Sequence, residues 1–151
     1  LAGEWQSVIL ASDVTNNNAV ANTIADVTGL SFAVTAGEMY WFEFNIFYTS
    51  AATTTGSRWS VNGPAAPTKL IYTSEYSLAA TTTTRNANNI SYDLPAASNA
   101  TSSSTGSNQA YVYGCIQPSS NGTVIARFAS EVASSAIVAK AGSFVRYLRT
   151  V

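Results

Sequence analysis

Large apolar side chains occupy both faces of one predicted strand, and this feature limits the folds that are open to the chain. In the stretch AGEMYWFEFNIFYTS, residues 36–50, every second position from 40 to 48 is Tyr, Phe or Ile. That period of two is typical of a β-strand with one buried face. The intervening positions also carry Trp41 and Phe47, so the second face of the strand needs cover as well.

The rest of the chain shows related patterns and no helical period. Short β-branched and aromatic runs alternate with clusters of Gly, Asn, Ser and Thr, which is typical of strands joined by turns. The predicted strands are residues 5–11, 30–35, 39–49, 57–62, 68–78, 109–117, 122–131, 135–140 and 143–150, with a short edge strand near 23–27. Many short strands without a helix predict an all-β fold, an antiparallel β-sandwich.

The length of the chain suits one domain. A chain of 151 residues can bury a sizeable core but leaves little room for a second one. We therefore expect a single domain over residues 1–151, with residues 1–28 as a partly extended N-terminal segment. Two stretches of low complexity, 79–89 and 96–109, are rich in Thr, Ser, Asn and Ala. We expect them to be long polar surface loops.

Charge is scarce in this chain, which excludes two kinds of partner. Charged residues make up 10% of the sequence and the net charge is −1, whereas roughly 25% of a typical soluble domain is charged. The basic residues are scattered, so they form no footprint for the phosphates of a nucleic acid. No apolar run approaches the ~20 residues that span a bilayer. We expect no nucleic-acid partner and no membrane partner.

The sequence offers little for catalysis. It contains no histidine, which removes Ser-His-Asp and Cys-His nucleophile activation as well as histidine metal ligands. No glycine-rich strand-to-helix motif is present to hold a phosphate. Paired carboxylates could hydrolyse a glycosidic bond, but most of the acidic residues fall at predicted turns or outward strand positions, where solvation explains them. The sequence therefore predicts a protein that is not an enzyme and holds no cofactor or metal.

Glu43 and Cys115 need an interpretation of their own. Glu43 lies between Phe42 and Phe44, on the second aromatic-bearing face of its strand. An ion pair or hydrogen bond at an interface explains this position better than a catalytic acid does. Cys115, the only cysteine, lies in a predicted strand without a flanking cation. We interpret it as a small buried apolar residue rather than a reactive thiol.

Aromatic residues on the second face of several strands predict an interface. No helix is available to cover that face, which leaves buried loops or another copy of the chain. Trp and Tyr anchor protein interfaces, and a large exposed apolar patch is an aggregation hazard. We therefore expect an obligate oligomer. The candidate interface residues are Trp41, Glu43, Phe47, Trp59, Tyr111 and Tyr113.

Three segments together carry a pattern of strands and Ala-Gly turns. They are FAVTAGEMYWFEFNIFY (32–48), GTVIARFASE (122–131) and AIVAKAGSFVRYL (136–148). Ala36-Gly37 and Ala141-Gly142 are predicted tight turns, in which glycine can adopt a positive φ. This pattern resembles the C1q/TNF-like jelly-roll superfamily, whose members include trimeric modules on phage virions. The resemblance implies a jelly roll that forms a homotrimer, with aromatic residues of each subunit around the three-fold axis.

The chain shows no collagen-like stalk or coiled-coil heptad, which favours a compact knob attached directly to a larger surface. The resemblance and the low charge imply a phage virion structural protein on the capsid surface. We expect a capsid decoration (cement) trimer that binds the major capsid protein and stabilises the head lattice. One alternative is the receptor-binding knob of a tail fibre, whose loops 79–89 and 96–109 contact host glycan or protein. Another is a carbohydrate-binding or adhesion module of a cell surface or spore coat.

Overall fold

Eleven β-strands make up the regular structure in the computed structural model, which describes residues 2–93 and 100–150. The strands are β1 (Trp5–Ile9), β2 (Val14–Asn16), β3 (Ala25–Val34), β4 (Tyr40–Ser50), β5 (Ser57–Asn62), β6 (Lys69–Ala79), β7 (Thr82–Asn89), β8 (Asn108–Gln117), β9 (Gly122–Ser130), β10 (Ile137–Ala139) and β11 (Phe144–Arg149). All their pairings are antiparallel. The described residues contain no helix. The predicted all-β antiparallel fold is confirmed.

The strands form a large sheet and a small sheet. The large sheet has the order β1-β11-β4-β8-β6-β7, with β10 also paired to β4 and β2 paired to β10. The small sheet has the order β3-β9-β5. The chain repeatedly crosses from one sheet to the other, for example from β3 to β4, from β4 to β5, from β5 to β6 and from β8 to β9. This wiring of two antiparallel sheets is that of a jelly roll, so the predicted β-sandwich topology is confirmed as well.

The hydrophobic core lies between the two sheets. Every even-numbered position of β4 from 40 to 48 is buried, as the period of two predicts. These side chains meet buried aromatic residues of the small sheet, including Phe32, Trp59 and Phe128. The ring centres of Phe32 and Phe42 are 6.0 Å apart, and those of Trp59 and Phe128 are 5.1 Å apart. Each fully buried side chain of this size is worth about 1.5–3 kcal/mol, so this core holds the sandwich together.

The two Ala-Gly turns have the backbone geometry that the sequence predicts. Gly37 has a φ of 81° and Gly142 has a φ of 94°, in the left-handed region that favours glycine. The second turn is also fixed from outside. The Asp13 carboxylate accepts a hydrogen bond from the backbone N–H of Ala141 at 2.8 Å and pairs with the Lys140 ammonium. These turns set the point at which the following strands, β4 and β11, enter the large sheet.

Residues 79–89 are not the surface loop that the composition predicted. β6 ends at Ala79, and Thr82–Asn89 form β7, which pairs with β6 at the edge of the large sheet. The prediction is wrong because an edge strand with few buried side chains does not show apolar alternation. Threonine itself favours strands, so a run of Thr is compatible with β7.

The second low-complexity stretch lies partly outside the described residues, namely at 96–99. Of the remainder, 100–107 form no strand, and β8 begins at Asn108. Two of its side chains, Ser102 and Asn108, are nevertheless buried and hydrogen-bonded. Ser102 donates to the carbonyl of Thr55, and Asn108 donates to a neighbouring carbonyl of the same stretch. This part of the chain is therefore anchored to the sandwich.

The N-terminal part of the chain is more regular than predicted. The expected extended segment 1–28 contains β1, which pairs with β11, and β2, which pairs with β10. The predicted strands 23–27 and 30–35 are one strand, β3, with a register shift between Asp26 and Ser31. Within the described part of the chain, no helix is long and apolar enough to cross a membrane.

Candidate functional site

The outward side chains of β1, β11, β4, β8 and β6 form one continuous surface, which we call the outer face of the large sheet. Trp41 and Phe47 of β4 lie on it, with exposed fractions of 50% and 42%. Trp5, Ile9 and Phe144 also expose large apolar side chains there. The expected second aromatic face of β4 therefore exists and extends over its neighbouring strands. Whether it is an interface stays a prediction.

The strand register aligns these side chains in rows across the sheet. The first row is Trp5, Leu148, Trp41, Cys115 and Ile71. The second row is Ser7, Arg146, Glu43, Tyr113 and Thr73. The third row is Ile9, Phe144, Asn45, Tyr111 and Glu75. Directly opposed residues within a row are roughly 4.5–5.5 Å apart between Cβ atoms. The first row is apolar, and the second row, next to it on the sheet, is polar.

A polar network holds the middle of the outer face. The Nε of Arg146 donates to Oε2 of Glu43 at 2.7 Å. The Arg146 guanidinium also lies 4.6 Å from the centre of the Trp5 ring, in cation–π geometry. Burial, followed by the Glu43 carboxylate, raises the pKa of Tyr111, which stacks on Tyr113 at 4.4 Å between ring centres. Glu43 therefore has an ion pair within its own chain.

A second ion pair extends this network towards the edge of the sheet. Arg85 of β7 donates to Glu75 of β6 at 2.7 Å. Hydrogen bonds to Tyr113 and then to Glu75 raise the pKa of Arg85, while Glu43 raises that of Arg146. Both arginines are therefore positive over the whole physiological range. Their charges are matched by carboxylates within the same face.

Trp59 does not belong to this surface, so its predicted interface role is wrong. Its side chain is fully buried in the core, where it stacks on Phe128 and its Nε1 donates to Ser57 Oγ at 3.0 Å. Trp59 and Val61 are two residues apart and share the inward face of β5. The outward residues of β5 are polar. The segment RWSVN is thus an ordinary alternating strand with one apolar face.

The outer face of the small sheet has a different character. Arg127 of β9 binds two carboxylates, Asp26 at 2.6 Å and Asp93 at 3.0 Å. Arg58 of β5 pairs with Glu131 at 2.9 Å. Among the described residues, none of the exposed large apolar side chains belongs to β3, β5 or β9. Both outer faces therefore carry ion pairs, but of the two it is the face of the large sheet that exposes large apolar side chains.

One end of the outer face of the large sheet opens into a groove. It has a volume of about 480 Å³ and is lined by Asn45, Ile46, Phe47, Glu75, Tyr76, Thr83, Gln109, Ala110, Tyr111, Gly142 and Phe144. An adjoining hollow of about 620 Å³ lies between residues 79–83 and the stretch that includes Ser103 and Ser107. The two low-complexity stretches of the sequence therefore meet at the same end of the sheet.

The described residues bring together no cluster of metal-ligating side chains. Within residues 2–93 and 100–150, no group of three or more His, Cys, Asp or Glu side chains is placed to hold a metal ion. Burial raises the pKa of the Cys115 thiol, which lies between Trp41 and Ile71 in the first row. At neutral pH this thiol is protonated. Cys115 is half-buried and not buried as predicted, because it lies on the outer face of its strand.

Sequence reasoning missed three contributors to the outer face, namely Trp5, Phe144 and Arg146. The alternation of WQSVI in β1 could have suggested Trp5, since Trp5 and Ile9 share one side of their strand. Phe144 and Arg146 could not be assigned to this face from sequence, because that requires the pairing of β11 between β1 and β4.

The scan against models of protein families finds no match, and no curated protein matches the chain either. Among solved structures, Eiger TNF from S. frugiperda is 9% identical, with 97% of this chain and 93% of that chain covered and a TM-score of 0.46. Murine APRIL is 10% identical, with 97% and 99% covered and a TM-score of 0.43. The infectious bursal disease virus VP2 subviral particle is 10% identical, with 98% and 38% covered and a TM-score of 0.44. These likenesses concern the fold alone.

Proposed function

We propose that the chain is a phage virion structural protein, a capsid decoration (cement) trimer that binds the major capsid protein and stabilises the head lattice. The observation that carries this proposal is the outer face of the large sheet. Trp5, Trp41 and Phe144 expose apolar surface on neighbouring strands of that face. Clustered aromatic residues around paired charges suit a contact between copies of the chain.

Burial of this face against other copies is energetically reasonable. Trp41 is half exposed, and covering the remaining half of a Trp side chain is worth about 2–3 kcal/mol. Arg146 and Glu43 already satisfy each other within the chain. Their burial therefore leaves no unpaired charge, which would otherwise cost several kcal/mol.

The rest of the proposal rests on what the chain lacks and on its composition. A cement protein needs a rigid knob and no titratable chemistry, and we propose that this protein is not an enzyme. Charged residues make up 10% of the sequence, so few ion pairs to a partner are available for salt to screen. Attachment to the capsid is therefore expected to depend only weakly on ionic strength.

The test is cosedimentation of the purified protein with phage heads that lack it, at low and high salt, beside the same assay with host cells. We expect binding to heads at both salt concentrations and restored resistance of the heads to heat. A ligand that binds only the intact lattice stabilises it by about 2.7 kcal/mol per site at a hundredfold excess over Kd. Sedimentation with cells but not with heads would refute the cement function.

A specific observation also favours a second candidate, the receptor-binding knob of a tail fibre. The stretches 79–89 and 96–109 were expected to contact host glycan or protein. Residues 79–83 of the first and Ser103, Ser107 and Asn108 of the second line one hollow. Two distant polar stretches that converge beside an open groove resemble the layout of a ligand-binding end.

A further inference from the structure

Three polar side chains in the groove at the end of the outer face have no hydrogen-bond partner among the described residues. Within the described residues, the side chains of Asn45, Gln109 and Thr83 make no hydrogen bond, although all three line the groove. Phe47 and Tyr111 lie beside them. We propose that this groove is a binding site for a short neutral oligosaccharide, and we rest this inference on the second candidate function.

The register places each free amide next to an aromatic ring. Gln109 of β8 is the direct cross-strand partner of Phe47, and Asn45 of β4 is the partner of Tyr111. Such partners have Cβ atoms roughly 4.5–5.5 Å apart. A pyranose ring has an apolar face of C–H groups and a rim of hydroxyl groups. An aromatic ring covers the C–H face, while an amide beside it offers both a donor and an acceptor to the hydroxyls.

The charges of the groove select a neutral ligand. Glu75 is the charged residue among those that line it, and its carboxylate is paired with Arg85 at 2.7 Å. The adjoining hollow is lined by Phe47, Ala, Thr, Ser and amide side chains without a charged residue. A sulfated, phosphorylated or uronic-acid group would face Glu75 and find no unpaired cation in the lining. The site is therefore expected to reject acidic sugars.

The size and position of the groove fit a short chain of sugars. Its volume of about 480 Å³ lies within the range of roughly 300–1,000 Å³ that is typical of small-molecule sites. Thr81, Thr82 and Thr83 line the adjoining hollow, where a second or third sugar unit would extend. Phe47 is six residues from Trp41 on β4, which is roughly 20 Å. The Trp41 end can thus pack against another copy while this end stays open.

The test is calorimetric titration of the purified protein with neutral di- and trisaccharides of glucose, galactose, mannose and N-acetylglucosamine. Glucuronyl and sialyl trisaccharides are the acidic comparison. We expect at least one neutral trisaccharide to bind, and the double variant Asn45→Ala, Gln109→Ala to weaken its binding at least tenfold, since each amide contributes hydrogen bonds. Asn62→Ala is the matched control, because Asn62 lies on the outer face of the small sheet. It should bind like the unmodified protein.

Light scattering on the same samples separates this inference from the assembly proposal. Both variants should keep the oligomeric state of the unmodified protein. If no neutral saccharide binds, or if the double variant binds as well as the Asn62→Ala control, the saccharide site is refuted. Tighter binding of the acidic sugars would refute it too. None of these results changes the expected trimer, which is measured independently.

Discussion

Gly114 lies where β8 runs closest to the backbone of β6. A Cβ at this position would lie 2.0 Å from the carbonyl oxygen of Ile71 and 2.6 Å from Cα of Tyr72. Both are backbone atoms of the paired strand, so neither can move without breaking the ladder between β6 and β8. Space alone therefore requires glycine in the middle of this strand.

We predict that Gly114→Ala destabilises the fold by at least the 1–3 kcal/mol that is common for overpacking. Urea unfolding followed by fluorescence measures the change. Gly106→Ala is the control, because a Cβ at Gly106 would meet nothing within 4 Å. Equal unfolding midpoints for the two variants would show that the close approach of β8 to β6 is not tight in solution.

Trp41 and Trp59 show what a single residue in the sequence can and cannot reveal. Residues 40–48 contain enough large side chains at even positions to identify the core face, and Trp41 then points away from it. Within β5, the same-face neighbours of Trp59 are the smaller residues Ser57 and Val61. Nothing local distinguishes an inward tryptophan from an outward one there. Only the packing of Trp59 against Phe128, far along the chain, decides it.

At the scale of one strand, β4 separates folding from assembly. We predict that Trp41→Asp abolishes association but leaves a folded chain, because this side chain lies on the outer face, at the end away from the groove. Phe44→Asp should destroy the fold, because Phe44 is fully buried and an unpaired carboxylate in a dry core is costly. Circular dichroism reports folding and light scattering reports association.

The two variants control for each other, since both substitutions introduce the same carboxylate into the same strand. If Trp41→Asp unfolds the chain as Phe44→Asp does, the division of β4 into a core face and an interface face is wrong. If Trp41→Asp leaves the molar mass in solution unchanged, the outer face is not the assembly surface.

The turn before β11 predicts a dependence of stability on pH. Hydrogen bonds from Lys140 and from the backbone N–H of Ala141 lower the pKa of Asp13. Since the folded pKa is below the unfolded value of about 3.9, the stabilisation is present above that value and is lost as the pH falls through the folded pKa. Asp13→Asn should lower Tm at pH 7, and the difference from the unmodified protein should shrink towards pH 2.

Thermal melts from pH 7 to pH 2 make the comparison, with Glu4→Gln as the control. Glu4 makes no ion pair with any described residue, so its amide variant should follow the unmodified protein at every pH. A Tm difference for Asp13→Asn that is the same at both ends of the range would contradict the role of the Asp13 charge in holding this turn.

Elements were predictable where a buried face imposes a period. The strand β4 and the two glycine turns follow directly from the spacing of apolar residues and from the Ala-Gly pairs. β7 was not predictable in this way, because an exposed edge strand buries too little to impose alternation. The short β2 is recognisable only through its pairing with β10.

On the scale of the whole molecule, the sequence predicts the sandwich but not the arrangement of its surfaces. The outer face gathers side chains from β1, β4, β8 and β11, which lie far apart in the chain and meet only through the order of the large sheet. The groove likewise depends on the convergence of residues 79–83 with Ser103 and Ser107. Long-range strand pairing decides both, and no local pattern encodes it.

We propose that the outer face of the large sheet packs against further copies of the chain. The contrast with the small sheet supports it, since Arg127 and Arg58 fill that outer face with ion pairs to Asp26, Asp93 and Glu131. Both arginines of that face therefore already have carboxylate partners within the chain. The aromatic face is the one that gains from being covered.

Light scattering coupled to gel filtration at micromolar concentration measures this self-association. We expect a single species with three times the chain mass of 15.8 kDa, and a shift of that species to the monomer mass in Trp41→Asp. A mass of twice the chain would retain self-association through this face but would rule out the trimer. A well-behaved monomer for the unmodified protein would refute self-association through the outer face.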